Sequence, residues 1–102
     1  MTLTPHAWQR WRQRCSHLDM DFEVAGLKRA GKRVLNTLRR SWERSQGVGT
    51  WPAHYNYLIS PGGAVFIVCD GIVITVLTAR QIKSWERRRS ADDRLRRRHC
   101  MA

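Results

Sequence analysis

His54–Thr78, HYNYLISPGGAVFIVCDGIVITVLT, is the stretch whose reading decides the fold. It breaks into three short apolar runs separated by Ser60-Pro61-Gly62-Gly63 and by Asp70-Gly71. An Asp-Gly pair between apolar runs signals a two-residue hairpin, because both central residues of a type I′ turn need positive φ. Proline and glycine supply the other reversal, one by fixing φ and the other by tolerating the left-handed region. Between the turns, Ala64 to Cys69 is apolar throughout and often β-branched, which fits a strand covered on both faces. The expectation is an α+β domain whose N-terminal helices pack on a three-stranded or slightly larger antiparallel β-meander, with a basic C-terminal helix after it.

The residues before the meander carry helical patterns. Thr4-Pro5 is a helix start, threonine as N-cap and proline in the first turn. The helix that follows runs to about Cys15, with Trp8, Trp11, Cys15 and Leu18 as its apolar stripe. His6, Arg10 and Arg14 recur every four residues and share another stripe, either a functional face or a solvated basic one. Asp19 or Asp21 caps a second helix with Phe22, Ala25 and Leu27 inward, ending near Gly31. A third helix turns Val34, Leu35, Leu38 and Trp42 to one side, with Arg33, Arg39, Arg40 and Arg44 on the others. After the meander, Thr78-Ala79-Arg80-Gln81 has the capping-box pattern, and Ile82 and Trp85 face the core. Residues 1–86 read as one domain and 87–102 as a basic extension carrying Arg87, Arg88, Arg89, Arg96, Arg97 and Arg98.

Charge narrows the partners. Nineteen Lys+Arg against eight Asp+Glu give the 102-residue chain a net charge of +11. Such an excess calls for a polyanion, and the predominance of arginine favours phosphate, whose oxygens match the guanidinium fork. RNA is the first expectation, an acidic protein a later one. An anionic membrane surface would require an amphipathic helix with a broad apolar face, which the C-terminal segment lacks. Three scattered cysteines without a Cys-x-x-Cys pair fit reduced thiols in a cytoplasmic protein, and the N-terminus has no apolar signal-like run. Neither a phosphate loop, a His-Glu-x-x-His nor a Gly-x-Ser-x-Gly is present, and the acids are dispersed, so no cofactor or metal is expected.

Strand register decides which side chains share a face. With two-residue loops at both turns, Tyr57, Phe66 and Thr75 align, and Tyr55, Tyr57, Phe66, Val73, Thr75 and Leu77 form a partly open platform. The opposite face, with Leu58, Ile67, Ile74 and Val76, then carries the helices. A longer first loop or a bulge would instead move His54 and Asn56 to the Thr75 side.

The segment His6-Ala7-Trp8-Gln9-Arg10 with Arg14, together with Val65-Phe66-Ile67-Val68, Asp70-Gly71 and Ile74-Thr75-Val76, resembles the BECR superfamily of small ribonuclease toxins. That group takes in barnase, EndoU, colicin nuclease domains and RelE-type toxins. The resemblance implies N-terminal helices on an antiparallel sheet and metal-independent RNA cleavage. It assigns His6 as acid or base, Arg10 and Arg14 as phosphate clamps and Thr75 as an assisting hydroxyl. The tyrosine such proteins often carry two residues after the threonine is Leu77 here, leaving Tyr55, Tyr57 or His54 as substitutes. The expected nucleic-acid contacts are Arg33, Arg39, Arg40, Tyr55, Tyr57, Arg80 and the arginines of 87–98. A toxin of this kind implies an immunity or antitoxin partner. The alternative is a non-catalytic protein, of the sort a phage encodes, that occludes a nucleic acid or a host protein.

Overall fold

The computed structural model describes residues 1–87. It is α+β, with four helices and a five-stranded mixed sheet in the order β1-β5-β4-β3-β2. The elements are β1 (Thr2–Leu3), α1 (Pro5–Arg14), α2 (Met20–Ala25), β2 (Lys28–Arg29), α3 (Lys32–Gln46), β3 (Asn56–Ile59), β4 (Ala64–Cys69), β5 (Ile72–Thr78) and α4 (79–87). The expected meander is the centre, β3-β4-β5. Two two-residue strands widen it: β2 pairs antiparallel with β3, and β1 pairs parallel with β5, which makes the sheet mixed. The basic extension beyond residue 87, with Arg88, Arg89, Arg96, Arg97 and Arg98, lies outside the described residues.

The Asp70-Gly71 hairpin forms as expected, with φ of 51° and 78° and Cys69 opposite Ile72. The register elsewhere corrects the expectation twice. Gly63 adopts φ 89° and adds a residue to the first loop, so Ser60 faces Ala64 and Tyr57 pairs with Ile67. A bulge then leaves Ile74 without a partner, so Ile67 pairs with Thr75 while Val68 pairs with Val73. Each shift moves the pairing by one residue. Tyr57 and Thr75 therefore stay on one face, but Phe66 and Val73 go to the other.

Both faces are covered. Ala7, Trp11 and Cys15 of the α1 segment pack on Ala64, Phe66, Val68, Val73 and Val76, with Leu18, Met20, Val24 and Leu27 around them. On the second face Ala30, Leu38 and Ile82 enclose Tyr57 and Val65, joined by Val34, Leu35, Ile67, Leu77 and Trp85. The open tyrosine platform is thereby overturned, because α3 and α4 occupy its place. Four expected core residues also point outward: Trp8, Phe22 and Trp42 are 43%, 64% and 37% exposed, and Ala25 is exposed at the end of α2. Met20 and Val24, four residues apart, share the inward side of α2, so Phe22 between them falls on the opposite side of that helix. Its buried residue is instead Glu23, 3% exposed, which accepts the Gly62 N–H at 2.7 Å and ties α2 to the β3–β4 turn.

Gly62 is glycine for want of space, since a Cβ there would meet Glu23 Oε1 at 2.7 Å and Leu18 Cδ2 at 2.8 Å. Gly62→Ala is expected to cost about 1–3 kcal/mol by overpacking. Gly31→Ala, where a Cβ meets nothing within 4 Å, serves as the control in the same denaturant titration.

Candidate nucleic-acid interface

The short length of β1 creates the site. It reaches only Ile72 and Val73 of β5, and beyond Val73 no strand among the described residues pairs with that edge. Helix α1 runs alongside instead. Thr4 caps it, its hydroxyl oxygen accepting the Ala7 N–H at 3.1 Å and donating to the Ile74 carbonyl at 3.4 Å. Pro5 supplies the first-turn position as expected. With Trp11 and Cys15 buried, the stripe of His6, Arg10 and Arg14 is turned to the bare edge of β5.

Three of the four residues assigned to catalysis make contacts along that edge. His6 Nε2 is 3.4 Å from Thr75 Oγ1, the donor being set by the imidazole tautomer. By the pairing, Thr75 belongs to the face of Ile67, whereas α1 packs on the face of Phe66, so this contact is made around the edge of the strand. Arg14 donates to the carbonyl of the next residue of the strand, Val76, at 2.9 Å. Burial, and then the charge of Arg10 beside it, hold the Arg14 guanidinium below its usual value. It remains charged at neutral pH, because arginine's ordinary value lies so far above. Arg10 itself donates to Gln13 Oε1 at 3.0 Å, so it stands next to the corner without touching its hydroxyl.

The tyrosines are elsewhere. Tyr57 is 8% exposed, stacks on Trp51 at 4.7 Å and donates its hydroxyl to the Pro52 carbonyl at 2.9 Å. Burial, with a lesser contribution from Tyr55, pushes its phenol up to about 12. Tyr55 packs against the second core and edge-on to the exposed His54, so neither tyrosine offers a stacking surface at the β5 edge. Because the Tyr57 value is raised, its contribution to stability is complete below about pH 10, the ordinary tyrosine value, and is lost as pH climbs towards about 12. Ultraviolet titration should find one tyrosine ionising late, and Tyr57→Phe should remove that step.

The expected arginine contacts divide. Arg33 forms a two-pronged ion pair with Glu86, and Arg39 pairs with Glu43 at 2.8 Å. These two spend their charge on acids of the protein itself. Arg40 lines a cleft between α3 and α4 with Ser41 and Trp85, and Arg87 is exposed at the end of the described chain. Arg80 lies beside Arg14 across a second cavity, together with His17. His17 is the residue that sequence reasoning passed over. Nothing in its spacing joins it to the stripe, and only the turn after α1 brings it there.

Among the described residues no group of three His, Cys, Asp or Glu converges as a metal site would require, and no helix is long and apolar enough to cross a membrane. No protein-family model, curated protein or solved structure matches the chain. The class that the fold and the site define is thus an α+β protein with a doubly covered sheet and a basic corner at one strand edge.

Proposed function

We propose that this is an RNA-binding protein that cleaves the strand it holds, without a metal, at the His6–Thr75–Arg14 corner. The observation that carries the reading is the 3.4 Å approach of His6 to Thr75 beside a partly desolvated, charged guanidinium. An imidazole titrates near neutrality and can take the proton of a ribose 2′-hydroxyl. The 2′-oxygen then attacks phosphorus, the bond to the 5′-oxygen breaks, and that oxygen takes a proton from water. The products are a 2′,3′-cyclic phosphate and a 5′-hydroxyl. Arg14, whose bond to Val76 uses one of five N–H donors, faces the charge on the non-bridging oxygens, with Arg10 adding to the local potential. Thr75 orients the imidazole.

A second reading keeps the surface and drops the chemistry. It is favoured by the absence of a phenol at the corner, since Leu77 stands where the resemblance puts tyrosine and Tyr57 is bound to Pro52. On that reading the protein occludes RNA rather than cutting it. Both readings allow a neutralising or host protein with an acidic face.

The deciding assay is incubation of tRNA and total RNA with the protein in EDTA. Discrete fragments ending in cyclic phosphate support cleavage; intact RNA that shifts in a gel supports occlusion. Either way binding should weaken steeply with salt, with a logarithmic slope of about 0.7 per phosphate contacted on a single strand. A flat salt response would remove nucleic acid from consideration.

A further inference from the structure

Beyond Arg14 the basic stripe leads into a cavity of about 470 Å³ between the end of α1, the β3–β4 turn and the start of α4. Two segments distant in sequence bring cationic or protonatable side chains to it: the end of α1 and the turn after it supply Arg14 and His17, and the start of α4 supplies Arg80. Much of the remaining lining is small, including Gly63, Ala64 and Ala79. Four backbone N–H groups nearby are engaged: Gly62 with Glu23, Gly63 with the Ser60 carbonyl, Ala79 with the Gly63 carbonyl and Gln81 with the Thr78 hydroxyl. Side chains therefore supply most of the donors in this cavity.

No acid of the described chain neutralises them. The ion pairs Arg33–Glu86, which joins α3 to α4, and Arg39–Glu43, within α3, involve none of these three side chains. Glu23, behind the turn, is 3% exposed and directs its carboxylate to Gly62 N–H. Converging cations without a carboxylate suit an anion, and guanidinium groups suit phosphate above others. The cavity also continues the edge that holds the corner: Thr78 lines it, and Thr75 is three residues back along β5, about 10 Å at the rise of a strand. Its volume exceeds that of a phosphate and falls in the range of pockets that hold small organic ligands.

We infer that the Arg14–His17–Arg80 cavity receives a second phosphate of the bound RNA strand, with part of its nucleoside, next to the phosphate held at His6. This rests on the RNA reading above and makes the substrate a strand of more than two nucleotides.

The test uses 2′-O-methyl oligonucleotides, which cannot be cleaved, so that binding is read apart from chemistry. A dinucleoside monophosphate offers one phosphate and a tetranucleotide three. Arg80→Gln should weaken the tetranucleotide about tenfold, the factor of a lost charge-assisted hydrogen bond. His17→Gln should act in the same direction. Both variants should leave dinucleoside binding and the melting temperature unchanged. Equal loss on both lengths, or loss on neither, overturns the cavity's role with RNA binding intact. Competition by inorganic phosphate that disappears in Arg80→Gln, while tetranucleotide affinity holds, reassigns the cavity to free phosphate and also overturns it. An unmodified tetranucleotide left uncut by the wild type removes cleavage alone, and the length-specific loss then still supports the cavity.

Discussion

His6→Ala is expected to lower the rate of RNA cleavage by about 10²–10⁴, the range a positioned acid–base group contributes. Binding of uncleavable RNA should change little, because the cations of the corner belong to Arg10 and Arg14. The fold should also be indifferent, since His6 is exposed and the helix start depends on Thr4 and Pro5. The comparison that matters is therefore single-turnover rate against Kd. A fall in rate with constant affinity assigns His6 to the chemistry. Unchanged cleavage would move the chemistry elsewhere, and Thr75→Val separates the two parts of the corner. It removes the hydroxyl 3.4 Å from Nε2, and its expected loss is smaller because it leaves the imidazole in place.

Phe66→Ala should bring the largest loss of stability. Phe66 is fully buried in the middle strand, and Trp11 of α1 meets it edge to face at 5.8 Å and 68°. Truncating such a side chain costs about 3–5 kcal/mol, against a total of roughly 5–15 kcal/mol for a domain of this kind. The melting temperature should fall on the order of 20 °C. Ile72→Ala, at a 42% exposed position of the same sheet, should cost far less. Because Phe66 seats the helix that carries His6, cleavage should be lost on warming before the β4–β5 hairpin melts, a difference that activity and circular dichroism together would reveal.

What was legible in the sequence was local. The Asp70-Gly71 turn, the Thr4 cap and the Thr78–Gln81 capping box each rest on chemistry within four residues, and each formed as read. The start of α3 after Gly31 was also legible, as this glycine is its N-cap. The helix before it, however, stops at Ala25 with Gly26 as C-cap rather than near Gly31, leaving room for β2. The strands β1 and β2 were not, because two residues carry no periodicity. The register slipped for a different reason: Gly63 and Ile74 each add one residue whose effect depends on the partner strand. Of the candidate site, the stripe of His6, Arg10 and Arg14 followed from helical spacing. Its meeting with Thr75 entered only through the resemblance, and His17 entered with the structure. The pairing of Arg39 with Glu43 follows from i,i+4 spacing on one helix, whereas Arg33 meets Glu86 from 53 residues away, which spacing does not show.

The edge strand β1 also dictates an order of events during synthesis. Its partner lies in Ile72–Val73, and His6 and Thr75 are 69 residues apart. The apolar side of α1 can meet Phe66 of β4 earlier, but its seat on Val73 and Val76 is complete only once β5 has been made. The corner consequently closes only after β5 is made, and a chain unfinished before Thr75 carries its histidine without the hydroxyl beside it.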